Sequence, residues 1–192
     1  MGREGISRRR FISDSLAGLS AGWTLARLPE ILAAGQHVHK LLQSQEPIGF
    51  EFFTPQQAAE VECLAAQIIP SDGTPGAREA HVIYFIDRAL ATFDRDRQSL
   101  YIKGIQRLRS KLRKLAPRAE KLSDLGQDQQ IKLIKQIEKT GFFEQVRTHT
   151  VMGFLSNPEY GGNRDLAGWK AIGFEDRFFY KPPFGHYDAE AE

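Results

Sequence analysis

The chain has 192 residues, of which 41% are hydrophobic and 26% are charged. This length and composition predict one globular domain with a buried core, and they exclude a chain that is disordered or embedded in a membrane. The formal net charge of +2 does not by itself indicate a class of partner. The single cysteine, Cys63, excludes an intramolecular disulfide and argues against a cysteine metal site, so we predict it to be a small buried residue of a helix.

A twin-arginine export pattern lies near the start of the chain. Residues 7–12 read S-R-R-R-F-I and fit the pattern S-R-R-x-F followed by an apolar residue, in which Arg8, Arg9 and Phe11 form the signal. The run Leu16–Ala26 that follows is weakly apolar and too short to span a bilayer reliably. This order of segments predicts a periplasmic protein.

The predicted signal peptide covers residues 1–35, and a linker follows over residues 36–51. No clean cleavage triplet is present, so an uncleaved signal is an alternative, as is a basic arm that binds nucleic acid. Proteins that use this route cross the membrane folded, commonly with a cofactor in place. The chain has no G-x-G-x-x-G motif, no C-x-x-C-H motif and no cysteine cluster. We therefore expect no cofactor in this chain and a partner that carries one.

The body of the chain has the pattern of about five helices and negligible strand signal. Thr54, Pro55 and Gln57 predict the start of the first helix, with a capping box and a proline at the first helical position, and Pro70 ends that helix. Four further helices are predicted at about residues 77–93, 97–115 and 128–139 and from residue 142 onward. The residues predicted to face the core are Ala58, Val61, Ala65, Ile68, Val82, Phe85, Ile86, Ala89, Leu90, Tyr101, Ile105, Leu108, Leu112, Leu115, Ile131, Ile134, Ile137, Phe143, Val146, Thr150 and Phe154.

We therefore predict an all-α domain over residues 52–176, a small bundle with long ordered loops, followed by an extended tail over residues 177–192. The tail has five aromatic residues between Phe178 and Asp188 and cannot be helical across Pro182 and Pro183. Either it folds back on the domain or it lies on another protein, and we favour the second. The predicted contact residues of the tail are Phe179, Tyr180, Phe184 and Tyr187.

The third predicted helix has a basic face. Ten lysines and arginines and only two acidic residues lie between Arg95 and Lys121. A nucleic-acid-binding helix has this composition, but no aromatic residues interleave with these charges and the rest of the chain offsets them. We therefore favour a solvated face or a rim that meets an acidic partner, and we expect no nucleic-acid partner.

Two segments have the composition of shaped loops. The loop Pro70–Ala77 contains two prolines and two glycines. The segment Phe154–Phe174 contains four glycines, a proline and an Arg-Asp pair, which prevent a long helix and leave large side chains at a loop rim. Such loops on a helical scaffold commonly carry recognition, although an ordered connection that packs on the core is the simpler reading. Asp72 alone does not make a metal site, and a role in the turn is favoured.

Three motifs occur in the order F-F-T-P-Q-Q-A, then I-I-P-S-D-G-T-P-G-A-R-E-A, then T-H-T-V-M-G-F-L-S-N-P-E-Y-G-G-N-R-D-L-A-G-W-K-A-I-G-F, and they span Phe52–Phe174. This order resembles the gluconate 2-dehydrogenase subunit 3 family, to which the twin-arginine start is also similar. The resemblance implies a small accessory subunit without catalytic residues of its own. Its partner would be a large flavoprotein of the glucose–methanol–choline oxidoreductase type that carries FAD, and a multihaem cytochrome c is a frequent third member.

By the same resemblance, the small subunit stabilises the flavoprotein and exports it folded, and it meets a membrane only through the complex or an uncleaved signal. The two loops would then bind the large subunit. The residues predicted for this contact are Pro70, Asp72, Pro75, Tyr160, Asn163, Arg164, Asp165 and Trp169.

A self-contained enzyme is the alternative from a different class. His149 would act as a base and Arg164 would hold a carboxylate substrate, with His186, Tyr160 and Asp165 as further candidates. His149 lies at helical spacing from apolar residues, however, so a histidine that packs between helices is favoured.

Overall fold

The computed structural model describes residues 49–177, and within this range it contains six α-helices and no strand. The helices are α1 Pro55–Ile68, α2 Val82–Ala91, α3 Gln98–Leu115, α4 Gln127–Ile134, α5 Gly141–Leu155 and α6 Ala167–Ile172. Four single 3-10 turns lie between them. The predicted all-α class is confirmed, and the sixth helix is the short one inside the second predicted loop.

The start of α1 has the predicted capping box. The Thr54 hydroxyl accepts a hydrogen bond from the Gln57 amide at 3.3 Å, and the Gln57 side chain accepts one from the Thr54 amide at 2.9 Å. Pro55 occupies the first helical position, where its missing N–H costs nothing. The local sequence therefore decides where this helix begins.

The helix α5 lies at the centre of the bundle. It packs against α1, α2 and α3, and its last turn meets α6. Val146, Val151 and Phe154 of α5 are at most 1% exposed, because neighbouring helices cover them. The central helix thus delivers the chain directly into the second loop.

The core-facing residues predicted from helical spacing are buried or partly buried, with one exception in α4. Ile131 is 40% exposed, while its neighbour Leu133 is fully buried. The prediction for Ile131 was wrong because α4 turns the face that carries Leu133 to the core, and residues two apart lie on opposite sides of a helix. The helix also ends at Ile134 instead of about residue 139, so Ile137 reaches the core from a turn. Cys63 is buried, as predicted, and burial raises the pKa of its thiol to about 11.

The helix α2 begins later than predicted. His81 directly before it has φ of 54°, in the left-handed region, which interrupts the helical path. Residues 77–81 form turns, and the regular helix starts at Val82.

Asp87 on α2 ties residues 49–53 to the domain. Its buried carboxylate accepts hydrogen bonds from the amides of Glu51, Phe52 and Phe53 at 2.7–3.0 Å. Arg88 donates to Asp87 at 3.0 Å and to the Gly49 carbonyl at 3.2 Å. The residues that precede α1 are therefore held in a defined path, although the sequence pattern placed residues 49–51 in a linker.

Several predictions fall outside the described residues. These are the export signal with Arg8, Arg9 and Phe11, the linker up to residue 48, and the tail residues Phe179, Tyr180, Phe184, Tyr187 and His186. Among the helices that the structure describes, none has the length and apolar character needed to cross a membrane.

Candidate partner-binding surface

The loop Pro70–Ala77 is held in one shape by Glu79. The Glu79 carboxylate accepts hydrogen bonds from the Ser71 hydroxyl at 2.6 Å and from the Gly76 amide at 2.7 Å. The hydrogen bond from Ser71, followed by those from backbone amides, lowers the pKa of Glu79, so the carboxylate stays ionised in its bonding role. The loop therefore presents a fixed set of exposed side chains, Pro70, Asp72 and Pro75.

Asn163 organises the second loop from inside. Its side-chain amide donates to the Ser156 carbonyl at 2.8 Å, and its side-chain oxygen accepts from the Gly168 amide at 2.8 Å. Its backbone has φ of 49°, a conformation that asparagine adopts more readily than most residues. Because Asn163 is fully buried, it has no side-chain surface for a partner. This corrects the prediction for Asn163, which shapes the loop instead of contacting a partner.

Two glycines allow the second loop to lie against α5. A Cβ atom at Gly168 would overlap the Phe154 carbonyl oxygen, and one at Gly162 would overlap the Gly153 carbonyl oxygen. Only glycine permits such close approach of two backbones. The glycines identified in the sequence thus set the distance between the loop and the central helix.

The two loops predicted from the sequence meet on one side of the domain. The Arg164 amide donates a hydrogen bond to the Ala80 carbonyl at 3.1 Å, and the Arg164 guanidinium lies 3.2 Å from the nearer ring nitrogen of His81. A groove of about 190 Å³ separates them. Its lining residues are Thr74, Pro75, Glu79, Arg164, Asp165, Ala167, Lys170 and Ala171. We call the surface made by residues 70–81 and 156–174 the loop face.

The loop face contains every non-glycine residue with positive φ in the described range. These residues are His81, Asn163, Asp165 and Leu166, with φ between 49° and 58°. A left-handed backbone is costly for a residue such as leucine, and it persists only where surrounding contacts impose it. Strain of this kind clusters at functional sites, which makes the loop face the leading candidate for recognition.

Apolar side chains are exposed on this strained surface. Leu166 is 38% exposed and Phe174 is 44% exposed, and the Phe174 ring packs edge-on against Trp169 at 5.1 Å between ring centres. The Trp169 indole N–H donates to the Leu155 carbonyl at 2.8 Å, so the ring is anchored to the end of α5. Exposed apolar side chains beside exposed charged residues such as Arg164 and Asp165 occur on protein-binding surfaces.

The remaining predicted contact residues lie on the loop face in two environments. Arg164 and Asp165 are exposed, whereas Tyr160 and Trp169 are half-buried, and Tyr160 packs against the core. Sequence reasoning missed Leu166, Phe174, His81 and Lys170. An apolar Leu166 inside the polar run N-R-D-L is the one signal that would have indicated an exposed anchor.

His149 belongs to a closed hydrogen-bond cluster. It is fully buried on α5, with one ring nitrogen 2.7 Å from the Asp94 carboxylate and the other 3.0 Å from the Tyr101 hydroxyl. The Gln145 side chain lies 2.9 Å from the same nitrogen that meets Asp94. Burial raises the pKa of the Tyr101 phenol. His149 is enclosed in the core while Arg164 is exposed on the loop face, so the structure does not bring the two residues of the enzyme alternative together at one surface.

No group of three or more histidine, cysteine, aspartate or glutamate side chains between residues 49 and 177 is arranged to hold a metal ion. Asp72 instead accepts a long hydrogen bond of 3.4 Å from the Thr74 hydroxyl within its own turn.

Comparison with known proteins matches one family model, gluconate 2-dehydrogenase subunit 3, over residues 55–176. The match covers both loops of the loop face and the six helices described between residues 49 and 177. Searches of curated proteins and of solved structures find no match. Since the family model covers more than half of the chain, the resemblance drawn from the three motifs is confirmed, and the chain belongs to the gluconate 2-dehydrogenase subunit 3 family.

Proposed function

We propose that this chain is the non-catalytic small subunit of a periplasmic FAD-dependent dehydrogenase of sugars or sugar acids. Its family makes it a subunit associated with gluconate 2-dehydrogenase. In this proposal the oxidation takes place in a large flavoprotein of the glucose–methanol–choline oxidoreductase type, which holds the FAD. A multihaem cytochrome c is the proposed third member and electron acceptor.

The observation that carries the proposal is the meeting of the two loops on one strained surface with exposed apolar anchors. Leu166 and Phe174 are exposed there although each is apolar, and burying both in an interface would contribute several kcal/mol, at about 25 cal/mol per Å². The groove between the two loops is lined by Arg164 and Lys170 as cations and by Asp165 and Glu79 as anions. A flavoprotein segment with an apolar side chain and charges of both signs fits this surface.

The second part of the proposal concerns export. The twin-arginine pattern of residues 7–12 would carry the folded complex across the membrane, because the flavoprotein must acquire FAD before transport. The small subunit would then supply the export signal for both chains.

Co-purification tests the binding step. The full chain carrying an affinity tag is co-expressed with the flavoprotein from the same source, and retained FAD is measured by its absorbance. The wild-type chain is expected to retain about one FAD per chain. The double variant Leu166→Asp/Phe174→Asp is expected to retain at least about tenfold less, because charges replace both anchors.

Ile131→Asp is the matched control, since Ile131 on α4 is equally exposed at 40% but lies outside the loop face. It is expected to retain the flavoprotein like the wild type. Failure of the wild-type chain to bind a flavoprotein, or unchanged binding by the double variant, would overturn the proposal.

Fractionation of cells tests the export step. The variant Arg8→Lys/Arg9→Lys is expected to leave the FAD-containing activity in the cytoplasm, with the complex still assembled. Export of the flavoprotein by cells that express this variant would show that the small subunit does not provide the signal.

A further inference from the structure

The helix α3 carries a basic face made of residues that lie outside the loop face. Lys103, Arg107 and Lys114 are exposed and recur at helical spacing, so they form one stripe about 16 Å long at 1.5 Å per residue. No acidic residue occurs between residues 98 and 119. Positive charge on this face therefore extends over about three helical turns without compensation from its own helix.

A cleft of about 400 Å³ lies beside this stripe, between α1 and α3. Arg109 and Arg113 line one wall, one helical turn apart, and Lys121 lines the far end together with Glu120. Pro55, Gln56 and Ala59 of α1 line the opposite wall. Within the described residues, Arg113 and Lys121 take part in no ion pair. The cleft thus adds a second group of basic residues on α3 and holds two cations available to an anion.

Glu60 on α1 also lines the cleft and has an unsatisfied oxygen. It is 1% exposed, and one carboxylate oxygen accepts the Leu122 amide at 3.1 Å. The other oxygen has no hydrogen-bond donor, since the nearest Arg109 nitrogen is 3.6 Å away and forms only an ion pair. A buried acceptor without a donor is costly and is rare in native proteins. It marks the place where a bound group with an N–H or O–H would be stabilised.

We propose that the basic stripe of α3 and the adjoining cleft bind an extended acidic segment of a partner polypeptide. An acidic polypeptide supplies carboxylates for Arg113 and Lys121 and, from its backbone, N–H donors for Glu60. A DNA backbone supplies phosphates without such donors, and a small anion does not reach along the stripe from Lys103 to Lys114. Charge and hydrogen bonding together thus select a polypeptide.

This surface consists of α1, α3 and the turn at residues 120–121, whereas the proposed flavoprotein contact uses the loop face. Each of the two proposals can therefore be disproved without affecting the other. Loss of binding at Arg113 and Lys121 does not affect Leu166 and Phe174.

Fluorescence anisotropy of the full chain with a labelled peptide of about ten alternating glutamate and alanine residues tests the proposal. Wild-type protein is expected to bind the peptide, more weakly at high salt. The variant Arg113→Glu/Lys121→Glu is expected to bind at least about tenfold more weakly. The control Lys132→Glu/Lys135→Glu makes the same change in net charge at the end of α4 and is expected to change binding less than about twofold.

Three outcomes would overturn the proposal. Equal losses of peptide affinity in the two charge-reversal variants would show that the peptide responds only to the net charge of the protein. Displacement of the peptide by single-stranded DNA of the same charge, as effectively as by unlabelled peptide, would identify a surface for nucleic acid. Displacement by free glutamate at the same carboxylate concentration would identify a site for small anions.

The variant Glu60→Gln separates hydrogen bonding from charge, because the two predict opposite changes in the affinity for the peptide. Removal of a negative charge from a basic cleft strengthens the binding of any ligand held only by attraction. If Glu60 accepts a hydrogen bond from the peptide backbone, the variant binds more weakly instead, because a neutral amide is a poorer acceptor. Tighter binding by Glu60→Gln would contradict the assigned role of Glu60.

Discussion

Each buried charged side chain described in the core region around α2 has a specific partner, and Asp87 has the most. It is fully buried and accepts three backbone amides in addition to the Arg88 guanidinium. Arg88 is itself only 3% exposed and also meets Glu51 at 3.3 Å. Hydrogen bonds from this many donors offset the free-energy cost of removing the carboxylate from water. An unpaired buried charge has no such compensation.

Asp87→Asn is expected to destabilise the domain by about 3–5 kcal/mol, because Arg88 loses its buried counter-charge and one acceptor becomes a donor that faces backbone amides. Urea unfolding of the full chain, followed by circular dichroism, measures the change. Asp165→Asn is the control, since the Asp165 side chain is 86% exposed, and it is expected to change stability by less than about 0.5 kcal/mol. A change below about 1 kcal/mol at Asp87 would mean that these hydrogen bonds do not hold residues 49–53.

His81 makes the stability of the loop face depend on pH. Partial burial, followed by the nearby Arg164 charge, lowers the pKa of His81 below its ordinary value of 6.5, while Glu62 and Asp165 act weakly in the opposite direction. As the pH falls below 6.5, the unfolded chain therefore binds a proton that the folded chain resists. The contribution of neutral His81 to the free energy of unfolding is therefore fully present above pH 6.5 and is lost as the pH falls.

The variant His81→Asn removes this titration and keeps a residue that tolerates the left-handed backbone. The melting temperature of the wild type relative to the variant is expected to fall between about pH 7.5 and about pH 5. Thermal unfolding of both proteins across this range measures the difference in melting temperature. The other titrating groups are the same in both proteins, so their effects cancel in this difference. A constant difference would show that the folded chain does not lower the pKa of His81.

At the scale of elements, the decisive contact joins the second loop to α5. Helical spacing predicted which faces of α1, α2, α3 and α5 are buried, because side chains three and four residues apart share a face in any helix. It was wrong for Ile131, since the buried face of α4 carries Leu133, and it also placed the end of α4 about five residues too late. Helix length is thus decided by packing more than by the local pattern.

Gly168→Ala tests this contact. The added methyl group would overlap the Phe154 carbonyl oxygen, which belongs to a helix backbone and cannot move aside, so a loss of about 1–3 kcal/mol is expected. Chemical unfolding of the full chain measures it. Gly126→Ala is the matched control, because nothing lies within 4 Å of its added atom and its φ is −64°. Equal stability of the two variants would contradict the close approach of loop and helix.

At the scale of the whole molecule, α5 connects the bundle to the loop face. It packs against α1, α2, α3 and α6, so the helices and the second loop are expected to unfold together. Trp169 is anchored to the end of α5 and reports on the loop face, whereas circular dichroism reports on the helices.

Phe154→Ala is expected to destabilise both parts by about 3–5 kcal/mol, since Phe154 is fully buried at their junction. In a Trp23→Phe background, tryptophan fluorescence and circular dichroism are expected to give coincident transitions at a lower urea concentration than in the parent. A shift in fluorescence alone would show that the loop face unfolds independently.

The amino-acid sequence by itself determined the all-α class, the capped start of α1, the buried helix faces and the three motifs of the family. These features depend on residues close together in the chain, where spacing and capping chemistry act directly. Only the tertiary structure decided that the two loops meet, that Asn163 is buried while Leu166 is exposed, and that His149 is enclosed by Asp94 and Tyr101. Those outcomes depend on how distant helices pack. Contacts between residues 48 to 83 positions apart produce no periodic pattern in the sequence from which they could be predicted.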